Sequence, residues 1–119
     1  MKIDKEILIF FDDKYSKSFN LLRTEYPIYI RNDGEYISDV CYCDLIDFFE
    51  KRGIWISYNL NYHNCRRLNK NDFGFQYYVY KSSSGLIRCS VDYFPPNEAR
   101  KQAIFAAFEL LEEELKWNI

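Results

Sequence analysis

The sequence predicts a mixed α+β fold, in which a three-stranded antiparallel meander carries two helices on one face. Three segments between residues 54 and 93 alternate apolar and polar residues, the period that is typical of half-buried strands. The two flanking segments repeat apolar residues at the three- and four-residue spacing of amphipathic helices. The order is therefore α-β-β-β-α, and the simplest burial places both helices against the same sheet face.

The chain has 119 residues, a length that fits one domain with its own core. We expect residues 1–119 to form a single domain, in which an N-terminal segment, residues 1–37, precedes the α-β-β-β-α unit of residues 38–119. Hydrophobic residues make up 48% of the chain and charged residues 29%, which excludes a disordered protein. The net charge of −2 provides no global attraction to nucleic acids or anionic membranes.

The N-terminal segment contains two patterns of different clarity. Residues 27–37 predict a hairpin that turns at Asn32-Asp33-Gly34. Periodicity does not distinguish strand from helix in residues 4–23, where a short helix around Lys14 to Arg23 is one interpretation. We expect this segment to extend the sheet or to pack as an extra layer.

Two helices flank the meander. The first is predicted over residues 39–52, with Ser38 as its N-cap and Gly53 in a left-handed conformation after its end. The second opens near Pro95-Pro96. Its predicted buried stripe is Ile104, Ala107, Phe108, Leu111 and Leu115, and its predicted solvated face is Glu109, Glu112, Glu113 and Lys116.

Apolar residues alternate with polar ones from Ile54 to Tyr62, again from Phe73 to Tyr80, and again from Ile87 to Tyr93. The run His63 to Asp72 joins the first two strands, and Ser82 to Gly85 joins the last two as a turn. A symmetric 63–72 loop would place Trp55 opposite Tyr80 and Ser57 opposite Tyr78, and we expect the 82–85 turn to bring Arg88 beside Tyr78 and Leu86 beside Tyr80.

This register predicts a patch on the sheet's outer face. Its members combine large contact area with hydrogen bonding and cation–π capacity, as binding hot spots do, and they are Trp55, Tyr78, Tyr80, Leu86 and Arg88. The sequence leaves open whether residues 1–37 cover this face instead.

Two further patterns point to specific chemical functions. Arg66, Arg67 and Lys70 form a basic cluster that favours RNA or DNA contact, although the adjacent aromatic string lacks the Lys/Arg-Gly of RNA-recognition strands. Cys41, Cys43, His63 and Cys65 have the residue types of a zinc site or a cysteine enzyme, but their spacing is unlike that of structural zinc sites. We therefore expect no metal, no cofactor and free thiols, including Cys89, and no catalysis, because no third group orients His63.

Three stretches carry a resemblance, namely YISDVCYCDLIDFFEKRGIWISYNLNY, FGFQYYVY and EARKQAIFAAFELLEEEL. Over about residues 36–115 they resemble small uncharacterised proteins encoded by phages and prophages of gut Bacteroidota. In those proteins a helix leads into a strand, a meander follows, and a closing helix begins near a Glu-Ala pair, here Glu98-Ala99. The resemblance implies a phage-related accessory role and no site residues.

The function expected from these patterns is non-enzymatic binding to a host or phage protein. A specific form is inhibition of a bacterial defence system such as a CRISPR effector. The alternatives are an RNA-binding module that uses the basic loop and, third, a zinc-dependent or cysteine enzyme. The apolar run from Ile7 to Phe11 is too short for a signal peptide or a bilayer span, so we expect a cytoplasmic protein in the bacterial host cell with no membrane partner.

Overall fold

A computed structural model describes residues 3, 5–60, 75–89 and 96–117 of the chain. Over these residues it contains four helices and two small antiparallel sheets, which confirms the predicted α+β class. The elements in order are α1 (Lys5–Lys14), α2 (Ser16–Glu25), β1 (Ile28–Ile30), β2 (Tyr36–Ser38), α3 (Tyr42–Glu50), β3 (Ile54–Leu60), β4 (Phe75–Lys81), β5 (Leu86–Cys89) and α4 (Pro96–Trp117). The packing of both flanking helices on one face of the sheet stays a prediction.

The chain divides into two compact units. The first consists of Met1–Phe48 and Phe108–Ile119, and the second of Phe49–Ala107. Helices α3 and α4 each contribute residues to both units. The expectation that residues 1–119 act as one domain stays a prediction.

In the first unit, the stretch whose periodicity was ambiguous forms two helices of ten residues each. Helix α1 buries Leu8 and Phe11, and helix α2 buries Phe19 and Leu22. The apolar run therefore belongs to a helix, and α2 lies close to the predicted helix around Lys14 to Arg23.

Phe108 lies at the centre of an aromatic cluster in this unit. Its ring centroid is 4.2 Å from that of Phe11, 5.9 Å from that of Tyr15 and 6.5 Å from that of Phe48. Phe108 is fully buried, as its place in the predicted apolar stripe requires. Leu115, at the end of that stripe, is half-buried.

Glu112 does not lie on a solvated face of α4, as the sequence predicted, but is buried. Its Oε2 accepts hydrogen bonds from the backbone N–H of Ser18 at 2.8 Å and from the Ser18 hydroxyl at 2.7 Å. Its Oε1 accepts one from the backbone N–H of Lys17 at 3.2 Å. The carboxylate is tolerated in the interior because these donors replace its water shell.

The β1–β2 hairpin confirms the predicted turn. Ile28 pairs with Ser38 and Ile30 with Tyr36, and Gly34 has a φ of +84°. The Tyr36 hydroxyl donates a hydrogen bond of 2.7 Å to Oδ2 of Asp12, which connects β2 to α1.

The predicted N-cap of α3 is wrong. The helix begins at Tyr42, and the Ser38 hydroxyl accepts a hydrogen bond of 3.0 Å from the N–H of Val40 instead of capping it. Cys41 is thus the N-cap residue and Asp44 the N3 residue. Oδ2 of Asp44 accepts a hydrogen bond of 3.0 Å from the Cys41 N–H, which is the contact that the N3 side chain makes in a capping box. At the other end Gly53 has a φ of +74°, which confirms its predicted left-handed conformation.

The second unit contains the antiparallel sheet β3-β4-β5. The β3–β4 register runs without interruption from Ile54↔Lys81 to Leu60↔Phe75. Ile54 and Val79 on one face are fully buried. The predicted outer ends of these strands, residues 61–62, 73–74 and 90–93, lie outside the described residues.

Candidate protein-binding surface

Three large side chains form a row across the exposed face of the second unit's sheet. Tyr80 is in register with Trp55 of β3 on one side and with Ile87 of β5 on the other. Directly paired residues project to the same face and lie close enough to touch. The exposed fractions are 49% for Trp55, 40% for Tyr80 and 60% for Ile87. We call these three residues the exposed row.

A second set of paired residues lies next to the exposed row on the same face. Tyr78 is in register with Ser57 and with Cys89, and its hydroxyl donates a hydrogen bond of 2.8 Å to Oε1 of Gln76. Ser57 and Cys89 are exposed and Tyr78 is half-buried. We call Tyr78, Ser57 and Cys89 the second row, and none of the six side chains in the two rows is charged.

The pairing of Trp55 with Tyr80 and of Ser57 with Tyr78 is as predicted, but the predicted places of Leu86 and Arg88 are wrong. Leu86 pairs with Lys81, and Arg88 pairs with Val79. The register between β4 and β5 differs from the prediction by one residue, and a shift of one moves every side chain of the strand to the other face. Leu86 and Arg88 therefore do not belong to the exposed row.

The turn explains this register. Residues 82–85 close the hairpin with a hydrogen bond of 2.9 Å from the N–H of Gly85 to the carbonyl of Lys81, and Gly85 has a φ of +68°. Four loop residues place Lys81 opposite Leu86. The turn itself was predicted with these four residues, so Ile87 was left out because of the register assigned to β5 and not because the turn was missed.

A smaller exposed apolar pair lies in the first unit. Tyr29 and Ile37 are in register in the β1–β2 hairpin and are 63% and 50% exposed. They border a cavity of about 160 Å³ whose lining also includes Asp39 and Asp44. This pair is a smaller apolar surface than the exposed row, because it consists of one cross-strand pair on strands of three residues and has two acidic side chains beside it.

The described residues include only two members of the predicted cysteine and histidine set, Cys41 and Cys43. Cys41 is half-buried at the start of α3, its Sγ 3.3 Å from Asp44 Oδ2, and Cys43 is exposed. His63 and Cys65 lie outside the described residues. In the part of the chain that the structure describes, no group of three or more metal-ligating side chains comes together.

The basic cluster of Arg66, Arg67 and Lys70 also lies outside the described residues, so its role in nucleic-acid binding stays a prediction. None of the described helices is both long enough and apolar enough to cross a bilayer. No protein-family model, curated protein or solved structure matches this chain.

Proposed function

We propose that the protein acts by binding a partner protein through the sheet face that bears the exposed row. The observation that carries this proposal is the alignment of Trp55, Tyr80 and Ile87 in one cross-strand register, with each residue 40–60% exposed. Burying these side chains against a partner removes apolar surface from water, which favours association.

The chemistry of the face favours protein over nucleic acid. The centres of protein interfaces are enriched in aromatic side chains and depleted of charged ones, and the two rows share that composition. Nucleic-acid binding depends on Lys and Arg side chains that neutralise phosphates. Arg88, the cation predicted here, lies on the Val79 side of the sheet.

The phage-related setting of this proposal rests on the sequence resemblance. In that setting the protein is a non-enzymatic accessory protein of the bacterial cytoplasm, and its partner is a host or phage protein such as a CRISPR effector. A chain of 119 residues is of a size that suits an inhibitor covering one site of such an effector.

The test compares two double variants of the full chain. Tagged protein is expressed in a gut Bacteroidota strain, retained proteins are identified by mass spectrometry, and the affinity of each purified partner is measured by calorimetry. Trp55→Ala/Tyr80→Ala should weaken binding by about 30-fold or more, which corresponds to about 2 kcal/mol. The matched control Tyr29→Ala/Ile37→Ala removes one exposed aromatic and one exposed aliphatic side chain from the hairpin and should bind as the wild type does.

The melting temperature of each purified double variant is also measured without a partner. This measurement separates a loss of binding from a loss of folding. The side chains removed from the exposed row are accessible, so we expect a melting temperature close to that of the wild type. Equal binding by the two double variants, or retention of no partner by the wild type, would show that the proposal is wrong.

RNA binding provides a separate arm of the test. Labelled single-stranded RNA is titrated at low salt with the wild type and with Arg66→Ala/Arg67→Ala. A salt-dependent complex that the double variant weakens would assign the function to the basic loop. We expect no such complex.

A further inference from the structure

Asp33 and Gly34 lie in the turn of the β1–β2 hairpin, and both are exposed. Asp33 is the only aspartate of the sequence that is followed by glycine, and no asparagine is followed by glycine. An aspartyl side chain can react with the next backbone nitrogen to form a cyclic imide, and a side chain on the next residue crowds that ring. Because glycine has no Cβ, Asp33-Gly34 is the position of this chain where the reaction meets the least steric resistance.

The reaction is an isomerisation in two steps. The Gly34 nitrogen attacks Cγ of the protonated Asp33 carboxyl group, the new C–N bond forms, and the carboxyl hydroxyl leaves with the nitrogen's proton as water. Water then opens the imide. Cleavage of the bond between the Gly34 nitrogen and the Asp33 backbone carbonyl gives isoaspartate, in which the main chain runs through Cβ and Cγ, and cleavage of the other C–N bond restores aspartate. One water leaves and one returns, so the reaction requires no other reactant.

Two features of the turn favour this reaction. Oδ1 of Asp33 accepts a hydrogen bond of 3.0 Å from the Glu35 N–H, so the side chain is folded back along the peptide that contains the Gly34 nitrogen. Holding a nucleophile beside the atom it attacks favours ring formation. Gly34 has a φ of +84°, and a Cβ at this position would meet no atom within 4 Å, so the space around this residue is open.

Two contacts of Arg31 oppose it. The Gly34 N–H donates a hydrogen bond of 2.9 Å to the Arg31 carbonyl, which holds the attacking nitrogen in the turn. The Arg31 guanidinium also lies 3.3 Å from Oδ2 of Asp33. Both carboxyl oxygens are therefore held, Oδ1 by the Glu35 N–H and Oδ2 by Arg31. The carboxyl group has to give up the ion pair before it can turn Cγ toward the nitrogen.

We propose that Asp33 is the principal site of isoaspartate formation in this chain, and that the Arg31–Asp33 ion pair slows the reaction. The side chains of this pair are 58% and 52% exposed, so salt screens their attraction. The product carries an additional backbone carbon in the turn, between residues whose hydrogen bonds close it. The modification concerns the hairpin of the first unit and does not depend on the proposed function.

The test incubates the full chain at neutral pH and low salt in water enriched in the heavy oxygen isotope, which labels each ring opening. Peptide mapping by mass spectrometry locates the label and the isoaspartate. Arg31→Ala should raise the rate at residue 33 by about two- to fivefold, which corresponds to the free energy of an exposed ion pair. Arg31→Lys keeps the cation and should react at nearly the wild-type rate. The matched control Arg23→Ala removes an exposed arginine of α2 and should leave the rate unchanged.

Salt dependence tests the ion pair in the wild type itself, and so keeps the proposal testable if Arg31→Ala fails to fold. Raising the ionic strength should accelerate the wild-type reaction toward the rate of Arg31→Ala, and should leave the rate of that variant unchanged. Isoaspartate that forms at other aspartates and not at residue 33 overturns the assignment of the site. A wild-type rate that is indifferent to salt, or equal to that of Arg31→Ala at low salt, overturns the role of the ion pair.

Discussion

Glu112 of α4 and Ser18 of α2 are joined by two hydrogen bonds, in which the Ser18 N–H and hydroxyl both donate to Oε2 at 2.8 and 2.7 Å. Helix α2 begins after Tyr15, which provides no side-chain cap. The first N–H groups of a helix need acceptors, and a negative charge is favourable there. A carboxylate from a different helix thus replaces the missing N-cap.

Glu112→Ala should lower the free energy of unfolding by about 2–4 kcal/mol, because it removes the cap and leaves buried donors of Ser18 unpaired. Glu112→Gln keeps one carbonyl acceptor and should cost less. The control is Glu109→Ala on the exposed face of the same helix, which should change stability by about 0.5 kcal/mol or less. Urea unfolding measures all three. Equal effects at residues 109 and 112 would contradict the assignment of a capping role.

Phe108→Ala should cost about 3–5 kcal/mol, since the fully buried ring contacts Phe11 and the cavity left behind is lined by other rings. The matched control is Phe10→Ala, which truncates an exposed ring of the same unit. We expect a clearly smaller loss there. Near-wild-type unfolding of the Phe108 variant would mean that the aromatic cluster does not stabilise the fold.

Gly53 and Gly85 allow backbone strain to be separated from steric overlap. Both have a left-handed φ, but a Cβ at Gly53 would lie 2.5 Å from the Ser82 hydroxyl, whereas a Cβ at Gly85 would meet no atom within 4 Å. Gly85→Ala should therefore cost the left-handed strain alone, about 1–2 kcal/mol. Gly53→Ala should cost more, and Gly53→Val more again. Thermal melting tests this order, and adding Ser82→Ala to Gly53→Ala should recover part of the difference.

Tyr36 should make the stability of the protein depend on alkaline pH. Partial removal from water, together with the hydrogen bond to Asp12, raises the pKa of Tyr36 to about 12 from its ordinary value of 10.0. Because the folded-state pKa lies above the unfolded one, the contribution of Tyr36 is complete below pH 10 and is lost as the pH rises toward 12. The difference in unfolding free energy between wild type and Tyr36→Phe should shrink across this window.

Asp12→Asn is the companion variant for the Tyr36 experiment. The amide oxygen of the asparagine still accepts the hydrogen bond from the Tyr36 hydroxyl, but no carboxylate opposes ionisation of the phenol. The pH range over which Tyr36 makes stability depend on pH should therefore narrow. A wild-type pH profile that matches Tyr36→Phe throughout would contradict the proposed linkage.

Features that depend on neighbouring residues in the chain were predictable from sequence. The turn at Gly34, the left-handed Gly53 and the buried position of Phe108 each follow from local residue type or periodicity. The start of α3 was missed because Ser38 is a common capping residue, whereas the structure leaves Cys41 at the start of the helix and uses Asp44 to bind its N–H.

Features that depend on distant residues were not predictable in the same way. Glu112 stands in a run of three glutamates, and only the position of α2 distinguishes it from its neighbours. Trp55 and Tyr80 of the exposed row were predicted from alternation and the expected β3–β4 register, whereas Ile87 was missed because β5 was placed one residue out of register after a correctly predicted turn.

The contact between Ser18 and Glu112 spans 94 positions of the chain. A ribosome adds about 5–20 residues per second, so α2 emerges about 5–20 seconds before the carboxylate that caps it. A ten-residue helix is marginal in isolation, and until then the ring of Phe11 in the neighbouring helix α1 also lacks its contact with Phe108. Helix α2 therefore completes its folding only after α4 has been synthesised, and until then its apolar face is open to chaperones and proteases.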